Sequence, residues 1–449
     1  MSIRLYNELT SNRTRFVRVD ELCRLAGEKG ALPSASDLDA EARLPLKQKK
    51  GFEREQGRFL GEILADPACG THLCHAMLLP HPLSQGKFQE YQAKGEIDLG
   101  GAHLARRGKA AVLTMKNPAY LNAEDEATLP GMELAVDLAL LDPQAEVCVL
   151  RGAPVEHPKY QGRRLFGAGI NLTHLYHGKI RYLWYLIRDL GFVNKFFRGL
   201  AKPDVSPEVD STEKLWIAAV EGFAIGGHCQ ILLTMDYTIA AEDAFLTLPA
   251  RKEGIIPGAA NLRLPRFVGD RIARQAIMAE RRIDCASPEG RLICDEVVSS
   301  ENIDESIERV VDRLTGSGVV SAAGNRRAFR AGDRRWPGES HEQVVHRFRS
   351  EAGLELPGRA HGGDAGTDDE DSPGTDIDRL IRALHGATLT AQTELVEGDV
   401  PWQTSGRLEF DQEQWEVLVT VEGKPQVIRR DLGDADACRR RLQRHPRAC

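Results

Sequence analysis

Residues 220–261 read VEGFAIGGHCQILLTMDYTIAAEDAFLTLPARKEGIIPGAAN, and the rest of the chain is organised around them. Leu215 to Val220 is a near-continuous apolar run, as in a strand buried on both faces, which loses the alternation of a half-exposed one. It leads into Gly222 and then Ala224-Ile225-Gly226-Gly227, where missing side chains let backbone N–H groups approach a ligand. A second apolar run, Ile231 to Met235, predicts a helix that begins just after the glycines. Donors at such a turn form a cradle for developing negative charge. A tight packing crossover uses glycines in the same way, so the turn alone does not separate the two.

Composition narrows the class. At 449 residues the chain has room for two or three domains. A hydrophobic fraction of 42% with 28% charged residues is that of a globular protein. A net charge of −7 gives no electrostatic reason to expect nucleic acid or a membrane surface. No uncharged run approaches the roughly 18 apolar residues of a membrane span. The first residues, MSIRLYNELTSNRTRF, lack the apolar core of a signal peptide, so a cytoplasmic location is expected. Nine scattered cysteines suit reduced thiols rather than a disulfide framework. Cys69, His72, Cys74 and His75 cluster, but metal ligands usually come in two spaced pairs and no second pair lies nearby. Packing within a helix is expected there, and no metal.

Taken in order, residues 1 to about 100 read as helical. Leu22, Leu25 and Ala26 carry one helical spacing, and Phe59, Leu60, Ile63 and Leu64 another. Gly30, Pro33-Ser34, Pro67 and Pro80-His81-Pro82 punctuate the segment, and Ser36-Asp37-Leu38 predicts a helix N-terminus. Ala110 to Met115 predicts a strand, Leu121 to Asp125 lead into a helix through Met132, Leu134, Val136 and Leu140, and Glu146 to Arg151 predicts a further strand. This order suits an α/β or α+β enzyme. Ile180 to Leu200 predicts one amphipathic helix with the charge of Arg188 amid apolar neighbours. A buried guanidinium needs an acceptor, either a structural partner or an anionic intermediate. Helices follow at 271–279 and 303–311. Arg359 to Asp376 is a Gly/Asp-rich acidic stretch expected to be a linker. Beyond it, a helix at 377–384, strands at 406–410, 415–421 and 426–430, and Arg439 to Arg441 in a terminal helix predict a small α+β module.

Val220-Glu221-Gly222, Ala224 to Gly227, Asp236, Ala240-Ala241, Phe245 and the Gly254 to Ala259 turn together resemble the crotonase (enoyl-CoA hydratase/isomerase) superfamily. Within it, the chain is most similar to the cofactor-free dioxygenases that act on an arylacetyl-CoA. The likeness continues upstream in GEKGALPSASDLDAEARLPLKQKKGFEREQG, which implies a start part-way into a helical N-terminal domain. It implies an α/β fold, a crotonase-like spiral of ββα units. Residues 1–104 would form the N-terminal domain and 105–332 the catalytic core. An altered C-terminal segment and acidic linker would span 333–376, and a module without assigned chemistry 377–449.

The same resemblance implies a site. The backbone N–H groups of Ile170 and Gly227 would hold a thioester oxygen as its enolate forms, each such donor being worth roughly 3 kcal/mol. Arg188 would stabilise negative charge, although Arg181 and Arg198 share its segment. Glu124 would anchor a ring hydroxyl or orient the acyl group; a carboxylate complementing a helix N-terminus is the competing reading. His157, Pro158, Lys159, Tyr160, Ala168, Gly169, Asn171, Leu172 and Thr173 would line the CoA channel. His228 reads equally as a base or as a structural histidine.

Hydratases of the superfamily carry two carboxylates that hold a water as acid and base. The matching positions here are Gln230 and Ala250, which transfer no proton. What remains is an enolate-forming site that requires another electrophile, and the resemblance implies dioxygen. The expected reaction converts 3,5-dihydroxyphenylacetyl-CoA and dioxygen to 3,5-dihydroxyphenylglyoxylate and free CoA, without metal or flavin, in antibiotic-precursor biosynthesis. Gln230 would hydrogen-bond substrate or peroxide. A homo-oligomer, trimer or hexamer, is implied. A thioesterase or isomerase using Glu124 or Glu253 as base, and a degenerate scaffold, are the competing readings.

Overall fold

The computed structural model describes residues 1–207, 209–250, 255–319 and 321–333, together with 410–411, 414–421 and 424–431. Contacts divide the chain into two units, Met1–Gly358 and Arg359–Cys449.

The first unit opens with six helices: α1 (Ser2–Leu9), α2 (Val19–Glu28), α3 (Ala35–Ala42), α4 (Phe52–Ala65), α5 (Pro67–Leu78) and α6 (Ser84–Lys94). Their boundaries follow the punctuation of the sequence. Pro67 is the first residue of α5, with Asp66 as its N-cap accepting the Cys69 N–H at 2.8 Å. The cap of α3 is Ser34, two residues ahead of the predicted position, because Ser34 and Asp37 close a reciprocal capping box. Cys69, His72, Cys74 and His75 all lie on α5. There the His72 Nδ1 meets the Tyr6 hydroxyl at 2.7 Å and the ring stacks on Phe16. No group of three or more metal-ligating side chains occurs among the described residues.

Two sheets follow. The larger has seven strands in the order β1 (Glu96–Asp98), β2 (Ala102–Arg107), β3 (Ala110–Met115), β4 (Val147–Gly152), β7 (Leu215–Val220), β9 (Tyr237–Ala241) and β12 (Glu296–Val298). From β3 onward every pairing is parallel, with Val112 opposite Val149 and Val147 opposite Leu215. The short pair β5 (Leu200–Ala201) and β6 (Ser211–Thr212) stands apart. A second sheet joins β8 (Phe223–Ile225), β10 (Phe245–Thr247) and β11 (Ile283–Asp284).

The chain steps between these sheets repeatedly. β7 is in the first, β8 in the second, and helix α11 (Gly227–Leu232) returns the chain to β9 in the first. β9 and β10 repeat the pattern, so the fold is a spiral of ββα units. Gly222 makes the first step possible. Its φ is +69°, and a Cβ there would lie 2.4 Å from a Leu165 methyl. β4 and β7 are buried along nearly their whole length, as unbroken apolar runs require.

Along the chain between β3 and β5 run α7 (Leu129–Leu141), before β4, and α8 (Leu172–Tyr176), α9 (Tyr182–Arg188) and α10 (Asn194–Arg198), after it. The single helix predicted over 180–200 is broken: Asp189–Val193 forms a π-helical turn, with Gly191 at ψ −113°. The break centres on a glycine, which tolerates the non-helical angles, and a Cβ at Gly191 would meet Glu133 Oε1 at 3.3 Å. Helix α12 (Gly258–Met278) is likewise kinked, at Gly269 with φ +74°. α13 (Ile303–Thr315) and α14 (Ala322–Asp333) complete the unit. Arg326 and Arg330 of α14 grip the buried Glu213, and their guanidinium groups also reach the Phe196 and Phe197 carbonyls.

In the second unit β13 (Phe410–Asp411), β14 (Gln414–Val421) and β15 (Lys424–Asp431) form an antiparallel sheet. The strands expected at 415–421 and 426–430 fall on β14 and β15, while that at 406–410 meets β13 only at Phe410, and 406–409 lie outside the described residues. The acidic linker, the helix at 377–384 and the terminal arginines lie outside the described residues.

The N-terminal helices are fastened to the core by buried charge. Lys195 of α10, with no exposed surface, donates to Glu133 at 2.8 Å and Asp137 at 2.7 Å, both on α7. Arg18, just ahead of α2, donates to both oxygens of Glu133 at 2.7 and 2.8 Å. Asp137 also accepts from the His81 N–H and the Ser84 hydroxyl. Such a network holds only while every charge is matched. Lys195→Met is therefore expected to lower unfolding free energy by about 3–5 kcal/mol, read from urea denaturation, because buried Asp137 loses its charged partner while Glu133 keeps only Arg18.

Candidate active site

The site begins at the loop between β3 and α7. Asn117-Pro118 ends β3, and Leu121 and Asn122 both take the left-handed conformation at φ +56°. Asn122 holds that strained turn by donating its amide to the Ala153 and Leu165 carbonyls, each at 2.8 Å. The loop then runs beside the 168–171 turn. The Glu124 N–H donates to the Gly169 carbonyl at 2.7 Å, and the Asn171 N–H donates to the Glu124 carbonyl at 2.8 Å. Asp125 joins the same loop to the turn from below, accepting from Asn117 and Asn171 amides at 3.1 and 3.0 Å.

The Gly226-Gly227 turn meets this one directly. A Cβ built on Gly169 would lie 2.8 Å from the Ile225 carbonyl and 3.2 Å from the Gly227 nitrogen. With Gly169 at φ +79°, only glycine serves there. The consequence is that Ile170, the next residue, and Gly227 present neighbouring N–H groups. Neither N–H donates to the backbone of another described residue. Gly227 opens α11, so its N–H has no intrahelical acceptor.

Behind the two turns sits an ion pair. Arg188, at the end of α9, donates through Nε to Glu124 Oε1 and through Nη2 to Glu124 Oε2, both at 2.8 Å. The same Nη2 donates to the Gly227 carbonyl at 2.9 Å, and Nη1 donates to Asp189 at 2.7 Å. Burial alone would lower the guanidinium's affinity for its proton, but Glu124 and Asp189 raise it. Trp184 and Phe192 lie against its faces at 5.8 and 5.6 Å. Glu124 thus holds one turn with its backbone and, through Arg188, the other with its side chain.

This arrangement revises two expectations. Arg188 does not wait for an anion: most of its donors are committed to Glu124, Asp189 and Gly227, because a buried guanidinium requires acceptors in the resting protein. Glu124 does not reach as a free carboxylate toward a ligand: both its oxygens accept from Arg188, and it lies against Gly227, the first residue of α11, rather than at the start of the α7 helix that follows it. Arg181, on the same segment, pairs instead with Glu126 at 2.7 Å.

His228 is a structural histidine. Its Nδ1 accepts the Gly169 N–H at 2.9 Å, and its ring fills the space beside Gly167. Burial pushes its pKa down to about 4, with Glu124 opposing and Arg188 reinforcing the shift. A neutral imidazole whose Nδ1 is occupied in this way is a positioning group. Cys229, next in α11, is no nucleophile either, since burial and the nearby Cys285 push its thiol up to about 12.

Gln230 is buried one turn beyond Gly227, and its Oε1 accepts the Ala259 N–H at the start of α12, at 3.2 Å. The amide nitrogen keeps two N–H donors. Ala250 is buried nearby in sequence, and Glu253 lies outside the described residues. Asn171 caps α8 by accepting the His174 N–H and donates to Asp125, so its side chain belongs to the turn rather than to a ligand. Leu172 and Thr173 are exposed, as are Pro158 and Lys159. Tyr160 packs with Ala168 and Ile225 around Phe223, and Lys159 stacks over its ring at 5.0 Å, with His157 alongside. The polar and basic groups of His157 to Tyr160 therefore lie beside the Ala168 turn.

Residues 106–335, about half of the chain, match the enoyl-CoA hydratase/isomerase family, and the chain belongs to that family. The spiral of ββα units is its fold. In sequence the chain is 42% identical over 363 residues to the (3,5-dihydroxyphenyl)acetyl-CoA 1,2-dioxygenase of Amycolatopsis orientalis, covering 80% of this chain and 81% of that one. The carnitinyl-CoA dehydratase of Salmonella typhi is 29% identical over 230 residues, 51% of this chain and 80% of the relative. Among solved structures, an enoyl-CoA hydratase/isomerase from Xanthobacter autotrophicus Py2 covers 67% of this chain and 98% of its own, at 22% identity and a TM-score of 0.47. Among the described residues no helix is long and apolar enough to cross a membrane.

The crowding at Gly227 makes a specific prediction. A Cβ there would lie 2.5 Å from Glu124 Oε2 and 3.0 Å from Arg188 Nη2. Gly227→Ala should push the ion pair away from the turn and lower acyl-CoA turnover by about 100-fold or more, measured by release of free CoA, with circular dichroism unchanged.

Proposed function

We propose that this protein is a dioxygenase that acts on an arylacetyl-CoA thioester without a metal or flavin. The substrates are 3,5-dihydroxyphenylacetyl-CoA and dioxygen, and the products are 3,5-dihydroxyphenylglyoxylate and free CoA. The observation that carries this reading is an oxyanion-type pair of N–H groups with no carboxylate at Gln230 or Ala250, where a hydratase of the superfamily holds its water. Identity of 42% to a dioxygenase over four fifths of both chains supports it.

The chemistry follows from the site. The thioester carbonyl accepts from Ile170 and Gly227, and loss of an α-proton gives an enolate delocalised into the ring. The enolate transfers an electron to dioxygen, and combination at the α-carbon gives a peroxide. The peroxide's terminal oxygen attacks the thioester carbonyl, the C–S bond breaks to release CoA, and O–O cleavage with loss of the remaining α-hydrogen leaves the keto acid. Both oxygen atoms of dioxygen end in the product.

Gln230 donates from its amide nitrogen toward the substrate or the peroxide without transferring a proton. Arg188 acts through the geometry of the Gly227 turn and through its positive potential. The backbone and side chains of 157–160 and 168–173 line the path of the CoA. Oligomerisation as a trimer or hexamer, a cytoplasmic location and a place in antibiotic-precursor supply belong to the same reading. Against a thioesterase or isomerase using Glu124 as base stands the occupation of both its oxygens by Arg188.

Purified protein incubated with 3,5-dihydroxyphenylacetyl-CoA and isotopically labelled dioxygen should yield a keto acid carrying two labelled atoms by mass spectrometry. Hydrolysis without oxygen uptake would instead identify a thioesterase, and an inert protein a scaffold. Gln230→Glu, which places a carboxylate beside the developing negative charge, should slow oxygen uptake by about tenfold or more, followed with an oxygen electrode.

A further inference from the structure

We infer that the N-terminal helical layer positions the helix that carries Arg188, and that Glu53 on α4 is the positioning residue. The family match begins at residue 106, so α1 to α6 lie outside the shared framework and their contribution to the site is not assigned by it. α9 has only seven residues, too few to hold a helix by backbone hydrogen bonds alone, so neighbouring contacts must fix its place.

Those contacts come from three sides. At the start of α9, the Tyr182 N–H, an orphan donor of the first turn, donates to Glu53 Oε2 at 2.9 Å. The other oxygen of Glu53 accepts from Lys49 at 2.5 Å, so both carboxylate oxygens are engaged and the group faces the first turn of α9 from a neighbouring helix. Gly57, one turn further along α4, lets the two helices touch: a Cβ there would lie 2.1 Å from the Tyr182 ring. At the far end, the π-helical turn at Gly191 rests on Glu133, which Arg18 of the same layer holds at 2.7 Å. Along its length, α9 is tied to the loop of Glu124 and Glu126 through Arg188 and Arg181.

The geometry makes α9 a short strut between the N-terminal layer and the oxyanion turns. Tyr182 and Arg188 are six residues apart, about 9 Å along the axis, so a shift at the Glu53 end is carried to the guanidinium almost undiminished. Displacement of a positioning group by about 1 Å can cost roughly 100-fold in rate. On the proposed reading, substrate affinity is set largely by the CoA channel at 157–160 and 168–173, which lies on other elements.

The test compares Glu53→Ala with Asp66→Ala, which removes the N-cap of α5 in the same layer without touching α9. Hydrogen exchange by mass spectrometry on residues 182–188 needs no substrate and decides the structural claim. Exchange there should be about tenfold faster in Glu53→Ala than in wild type, and unchanged in Asp66→Ala. Equal exchange in the two variants would overturn the inference. The kinetic arm rests on the proposed reaction. Glu53→Ala should lower kcat about tenfold with KM within about twofold, whereas Asp66→Ala leaves both near wild type. A rise in KM at unchanged kcat would count against positioning. Lys49→Met with Glu53→Gln keeps an acceptor for Tyr182 without an unpaired buried charge, and should restore both exchange and kcat. A wild-type protein inert toward the arylacetyl-CoA would sink the proposed reaction while leaving the exchange comparison decisive.

Discussion

The bidentate ion pair of Glu124 and Arg188 is the constraint on which the site depends. Two turns from distant parts of the chain must bring single N–H groups side by side, one between β8 and α11 and the other just ahead of α8. The pair solves this by joining them: Glu124 belongs by its backbone to the 168–171 turn, and Arg188 grips the carbonyl of Gly227. A pair this deeply buried is costly to desolvate and adds little net stability over an apolar alternative. Its return is geometric, because charges in a low-dielectric interior tolerate few arrangements.

The same logic recurs outward. Lys195, Glu133, Asp137 and Arg18 form a second buried cluster under the π-helical turn, and Glu213 with Arg326 and Arg330 a third beneath α14. Asp142 is a fourth junction. Burial alone would raise its pKa, but hydrogen bonds from Arg106, the Gln144 N–H, Tyr91 and Gln92 outweigh that and hold it near 2. Each cluster joins elements remote in sequence, so charge here specifies which helices meet while the apolar core supplies the bulk of the driving force.

Much of this was legible in the sequence, for identifiable reasons. β3 and β7 fell where their apolar runs lay, because a strand buried on both faces leaves an unbroken signature. The glycine turns were legible because only glycine tolerates their backbone angles and contacts. The break at Gly191 was not: the amphipathic period runs through it, and a single glycine inside such a period does not by itself announce a π-helical turn. Arg188 stood out as a charge among apolar residues, but its partner could not be read, since no local rule couples positions 64 residues apart. His228 remained ambiguous for the same reason, until the Gly169 N–H on its Nδ1 decided it.

The stepping of the chain between two sheets also bears on how the protein is made. β4 lies beside β7, with Val147 opposite Leu215, so the sheet closes only after the whole intervening loop and helix segment has been gathered. Contacts this distant in sequence demand a large loss of chain entropy before they return any stabilisation, which slows folding. The Ile170 turn lies inside that gathered segment and the Gly227 turn just beyond it. The two N–H groups therefore meet only across that long loop, and a nascent chain that has not yet reached Gly227 holds at most one half of the site.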